Sequence, residues 1–205
     1  MAKSEKKRIR RAPAEARAHV IKCAEALLIE GGAAAVQMRS VARKAEITDA
    51  GIAHHYKNRE GLLNALMDHG ANKVRTAIDT LVNDWVRDGT DVASLVSELG
   101  ELYSSGYAEL ALQVYGSGWQ ERGEPLLEPV IEALWANNQN PATDKEEVRL
   151  CFASLHMWLA LDPLFGKEFR NSAGLGGKRD RVLQEQWWIK QMNRILKKPE
   201  DFKER

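Results

Sequence analysis

Between Arg39 and Arg59 the chain gathers most of the side chains whose types and spacing suggest chemistry. They are Arg39, Thr48, Asp49, His54, His55, Tyr56 and Arg59, with the small residues Ala50 and Gly51 among them. The set suits noncovalent recognition. Guanidinium forks match phosphate oxygens. A carboxylate can accept from a cytosine amino group, and small residues let a backbone approach a base edge or a thymine methyl. Covalent chemistry is not indicated, because the chain carries no metal-ligand spacing, nucleophile elbow, phosphate-cradling glycine loop or paired carboxylates. Its five histidines, at 19, 54, 55, 69 and 156, are scattered. His54 and His55 are adjacent, so on a helix they diverge by roughly 100°. A shared metal would need a spacing of three or four. The expectation is no metal, no cofactor and no enzyme.

A second group lies further along: Trp85, Tyr103, Tyr107, Tyr115, Trp119 and His156. These predict a cavity for an aromatic or amphipathic small molecule of unknown identity, against the alternative of ordinary core packing. The tyrosines and His156 are the better candidates, since a buried hydroxyl or imidazole needs a partner that a ligand can supply.

The elements that must position both groups read as helices throughout, so the fold class is all-α. Residues 1–12 form a basic arm. Pro13 opens a helix through Glu30, which Gly31 and Gly32 stop. Two short helices follow, Met38–Ala45 and Thr48–Tyr56, the second capped by Thr48. Asn58 caps a long helix over Arg59–Asp88, and further helices cover about 91–104, 107–117, 125–138, 144–166 and 180–197. Pro163 is expected to kink or break its helix. The chain then divides into an arm (1–12), a head (13–59) and a body (60–205).

The most specific pattern is Met38–Tyr56. Two short helices crossing over a three-residue turn need a small residue where the backbones meet, here Ala42. They also need apolar plugs in the wedge, here Ile47 and Ile52. The second helix is then free to turn a polar face to a major groove; the plain alternative is an ordinary helical hairpin. The basic arm and the helix before this unit, and Arg59 after it, favour the first reading; the charge distribution fits it and a merely solvated basic tail equally well. Residues 1–60 hold 13 Lys and Arg against 7 Asp and Glu, while residues 61–205 hold 17 against 22. A basic head on an acidic body suits contact with phosphates. No run approaches the ~18 uninterrupted apolar residues of a membrane span, and no secretory signal is evident. Cys23 and Cys151 read as reduced core thiols. A soluble, cytoplasmic protein without a membrane partner is expected.

The run Val41-Ala42-Arg43-Lys44-Ala45-Glu46-Ile47-Thr48, followed by Ile52, His54, Tyr56, Arg59 and Leu62-Leu63, resembles the signature of TetR-type transcriptional regulators over about residues 14–75. The resemblance implies a nine-helix homodimer that reads a near-palindromic operator on double-stranded DNA. It also implies that 13–59 is the DNA-binding domain and 60–205 a ligand-sensing and dimerisation domain, with a ligand that shifts the fourth helix, and most commonly repression. In that frame Thr48, Tyr56 and Arg59, with Arg39 or Gln37, are expected at the DNA backbone. Asp49, Ala50, Gly51, His54 and His55 are expected at base edges, and Arg8, Arg10 and Arg11 in a flanking minor groove. Glu46 stands where the family usually has Gly; with φ > 0 it would carry strain on the order of 1 kcal/mol. Asp49 and Ala53 also depart from the family pattern. They motivate an alternative, a TetR-like module with weakened or lost DNA binding that binds a ligand or protein. Two apolar faces are expected to build the dimer: Val148, Cys151, Phe152, Leu155 and Leu159; and Val182, Trp188, Ile189, Met192, Ile195 and Leu196.

Overall fold

The computed structural model describes residues 12–88, 91–121, 123–136, 138, 140–177 and 179–196. The described residues are helical and contain no strand. The helices are α1 (Pro13–Ala35), α2 (Met38–Lys44), α3 (Asp49–Tyr56), α4 (Arg59–Asp88), α5 (Val92–Leu102), α6 (Ala108–Gly116), α7 (Glu128–Ala136), α8 (Lys145–Ser172) and α9 (Asp180–Leu196). A π-helical turn, Tyr103–Tyr107, joins α5 to α6. The expected arm, apart from Ala12, lies outside the described residues. The chain divides into two compact units, Met1–Leu66 and Met67–Arg205. The division falls inside α4 rather than at its start, because Leu62, Leu63 and Leu66 are buried in the first unit.

In the first unit, the Glu15 carboxylate accepts from the Ala12 N–H at 3.2 Å, at the end where Pro13 opens α1. Helical dihedrals fail at Gly31 and Gly32, where the sequence predicts the stop. α2 and α3 meet over buried Val41, Ala42, Ala45 and Ile52, with Ile47 half-buried in the wedge. The Thr48 hydroxyl accepts from Gly51 N–H at 3.1 Å, and Asn58 Oδ1 accepts from Gly61 N–H at 2.8 Å. Both predicted caps are therefore in place. Glu46 takes φ 55° in the turn, the left-handed conformation that penalises a β-carbon.

The second unit is built around α8, which packs against α5, the π turn, α6, α7 and α9. Its inner face carries Val148, Phe152, Leu155 and Leu159. Of the two outcomes expected at Pro163, the break does not occur: α8 runs through it to Ser172, because packing on five neighbours outweighs the lost backbone bond and the clash of the ring with the preceding turn. At the π turn Gly106 takes φ 100°, and the extra residue places Tyr107 against α4. Gly70 makes room there, since a β-carbon at that position would lie 2.1 Å from the ring.

The faces assigned to dimerisation are also corrected. Val148, Phe152, Leu155, Leu159, Met192 and Leu196 are buried inside the unit. The exposed apolar residues are Leu150, Met157, Leu161, Phe165 and Phe169 on the opposite side of α8, and Val182, Leu183 and Trp187 on α9. By length and composition α8 could cross a bilayer. That property follows from its being apolar on two opposite faces, one of them inside the unit.

Glu46→Gly should stabilise the protein by about 1 kcal/mol by relieving the left-handed turn. The check is a urea midpoint; an unchanged or lower midpoint would mean that the turn carries no strain.

Candidate nucleic-acid interface

An eight-residue helix is too short to persist alone, so the side chains that dock α3 decide what it presents. Ile52 and Tyr56 point inward and are buried. The Tyr56 hydroxyl donates to the Arg17 carbonyl of α1 at 2.9 Å, and the Arg17 guanidinium lies 5.7 Å from the ring centroid. Burial raises the Tyr56 pKa, partly opposed by Arg17, so the phenol remains a neutral donor. Asp49, Ala50, Ala53 and His54 are then exposed together on the opposite face. Gly51 and His55 lie at its edges, half-buried, and the His55 ring meets Tyr56 edge-on with centroids 6.2 Å apart. Of the two histidines, only His54 faces fully outward. Asp49 sits in the first turn of α3, where a carboxylate complements the helix dipole. Arg39 Nε lies 3.5 Å from its Oδ2.

This is a helix-turn-helix with a short second helix that turns small and polar residues outward. Residues 20–66 match the family described as "Bacterial regulatory proteins, tetR family". This head is a tetR-family N-terminal domain. Two solved structures share its fold. BioQ is 18% identical with a TM-score of 0.52, over 86% of this chain and 96% of that one. A TetR-family member from Streptomyces coelicolor A3 is 18% identical with a TM-score of 0.51, over 89% of this chain and 98% of that one. No curated protein matches the chain.

Two residues expected at the DNA backbone have polar atoms engaged inside the first unit. Arg59 donates from Nε to the Val36 carbonyl at 2.9 Å and from Nη2 to the Ala33 carbonyl at 2.8 Å. It thereby adds a charged donor to two carbonyls at the end of α1, of which that of Ala33 also accepts from the Val36 N–H, and ties α4 to α1. Tyr56 is the pin between α3 and α1. Both residues position the outward face without belonging to it. Ala53 is the member of that face missing from the sequence-derived set. Its spacing of four from Asp49 was the available signal.

The aromatic group of the second unit is dispersed. The side chain of Trp85 lies outside the described residues. Tyr107 is core. Tyr115 is exposed, with its ring 5.4 Å from that of Trp119, and Trp119 Nε1 donates to Asp68 at 3.0 Å. Tyr103 and His156 are brought together: the hydroxyl lies 2.7 Å from Nε2. Each supplies the partner that a ligand was expected to provide. Burial raises the Tyr103 pKa and lowers that of His156, so the pair is neutral. Two cavities are described in this unit. One is a small apolar gap among Val74, Ala77, Ile78, Leu81, Leu95, Glu98 and Leu99. The other is a cleft of about 310 Å³ bordered by α5, the π turn, α8 and α9. None of the five described aromatic candidates lines either.

Arg59→Ala should lower the unfolding free energy by roughly 2 kcal/mol, since two charge-assisted bonds to α1 are lost. A loss no larger than that of exposed Arg39→Ala would refute the clamp.

His156 generates a pH prediction. Its pKa is depressed in the folded state below 6.5, so the unfolded chain binds the proton first and stability falls as pH drops below that value. Thermal melts between about pH 7.5 and 5.5 should show a decline that His156→Gln flattens. An identical decline in that variant would assign the effect to other groups.

Proposed function

We propose that the protein is a ligand-responsive transcriptional regulator that binds a near-palindromic operator as a homodimer and acts as a repressor. The outward face of α3 carries this reading. Ala50 and Ala53 keep the surface low enough for the helix backbone to approach base pairs, and Asp49 and His54 flank them with hydrogen-bonding groups. Thr48 at the cap and Arg39 on α2 are exposed beside it for the phosphates. The net positive charge of residues 1–60 supports a polyanionic partner.

The exposed stripe on α8 and α9 supports the homodimer, since a contiguous apolar surface of this kind is normally covered. Two heads related by a two-fold axis match a palindrome. A dimer seated over a promoter excludes polymerase, which is repression in its simplest form. A ligand in the second unit would release it by altering the spacing of the heads. The protein acts in the cytoplasm on chromosomal DNA.

A second reading is favoured by Glu46 and Asp49, two exposed carboxylates, one in the turn before α3 and one in its first turn. They repel phosphate, and a protein so equipped could bind a ligand or protein partner without DNA. Arg39 beside Asp49 offsets one of them.

Enrichment from a random-sequence duplex pool decides between the two. The expected outcome is a near-palindromic site whose affinity falls steeply with salt. His54→Ala should relax preference at one base pair of each half-site, by about 1–3 kcal/mol. No preferred duplex at moderate ionic strength would leave the second reading. Sedimentation should show a dimer that Phe165→Glu converts to monomer; a dimer unaffected by that charge would move the interface off α8.

A further inference from the structure

The cleft of about 310 Å³ in the second unit has a chemistry distinct from the aromatic cavity that the sequence suggests. Val96, Gly100 and Leu159 supply an apolar floor, and Ser97, Ser104, Glu101, Arg181 and Glu185 supply polar walls. Its size falls at the lower end of small-molecule pockets.

The charges in the walls are unequal in availability. Arg181 donates from Nε to Asp162 Oδ2 at 2.8 Å, and Arg170 holds the other oxygen of the same buried carboxylate. Arg170 also donates to Gln184 at 3.1 Å, so the guanidinium at the cleft is part of an internal cluster. Glu101 on α5 and Glu185 on α9 have no ion-pair or hydrogen-bond partner among the described residues. They approach the cleft from two different helices, with serine hydroxyls on the α5 side. Together the five charged groups around Asp162 and the cleft leave one net negative charge.

We propose that this cleft binds a small organic cation, an amine carried on an apolar body. The ammonium would lie between Glu101 and Glu185, the serine hydroxyls would take remaining donors, and the body would lie on Val96 and Leu159. The proposal deepens the regulator reading by naming the chemical class of its effector, and it rests on that reading for the consequence of binding. Binding itself can be measured without DNA.

The test uses the full-length protein and three probes of similar size: 2-phenylethylamine, 3-phenylpropionate and 3-phenylpropanol. By titration calorimetry, the amine should bind more tightly than the alcohol, and the acid least. Glu101→Gln and Glu185→Gln should each weaken the amine about threefold, and together about tenfold, without changing the alcohol. Arg181→Gln serves as a second measurement and should not weaken the amine. The acid binding more tightly than the amine, or equal amine affinity in the doubly substituted protein, would overturn the proposal. A failure in this assay leaves DNA binding standing, and a failure to select any duplex leaves the cleft standing.

Discussion

The docking of α3 is the constraint on which the outward face depends. Eight residues cannot hold helical structure against chain entropy without tertiary support. Ile52 plugs the crossing with α2, Tyr56 reaches α1, and Thr48 closes the first turn. Because two residues on one side are fixed inward, the helical repeat sends Asp49, Ala50, Ala53 and His54 outward as a group. The crossing itself depends on Ala42, since a larger side chain there would separate the backbones. The turn between the helices is tight enough to force Glu46 into a left-handed conformation. Strain at that point and close packing beside it are two consequences of the same short connection.

Polar groups inside the protein follow a common rule: whatever leaves water must find a partner. Arg59 takes carbonyls at the end of α1, Tyr56 takes the Arg17 carbonyl, and Tyr103 takes His156. Asp162, buried near the middle of α8, is held by Arg170 and Arg181. A lone carboxylate there would cost several kcal/mol, so the two cations stabilise the packing of α8 on α9. Chemically capable residues are therefore drawn into structural roles wherever the fold buries them. The groups that remain unpartnered at a surface or cleft are the better guide to recognition.

α8 joins the energetics of the second unit to its assembly. Its inner face anchors five neighbouring elements, and its outer face carries Leu150, Met157, Leu161, Phe165 and Phe169 in contact with solvent. One helix thus serves as a core element and as the strongest candidate for an interface. A perturbation that shifts α8 would be felt both at the π turn and at the exposed stripe. The cleft between α5 and α9 rests on this helix through Leu159.

Local signals determined the helices, their caps, the glycine stop after α1 and the helix-turn-helix with its small crossing residue and two plugs. Such features depend on neighbours within a few positions along the chain, whereas the strain at Glu46 was marked by the family resemblance, which has Gly there. Local signals could not say which arginine or tyrosine faces outward. Arg59 meets carbonyls more than twenty residues away, and Tyr56 meets one 39 residues away. They likewise could not tell the inner face of α8 from the outer, since both are apolar and only the neighbours differ. The aromatic set suggested a cavity by composition, yet Tyr107 packs on Gly70 and Tyr103 pairs with His156. The tertiary structure decided these assignments, because whether a side chain is spare or engaged depends on what the fold brings against it from distant parts of the chain.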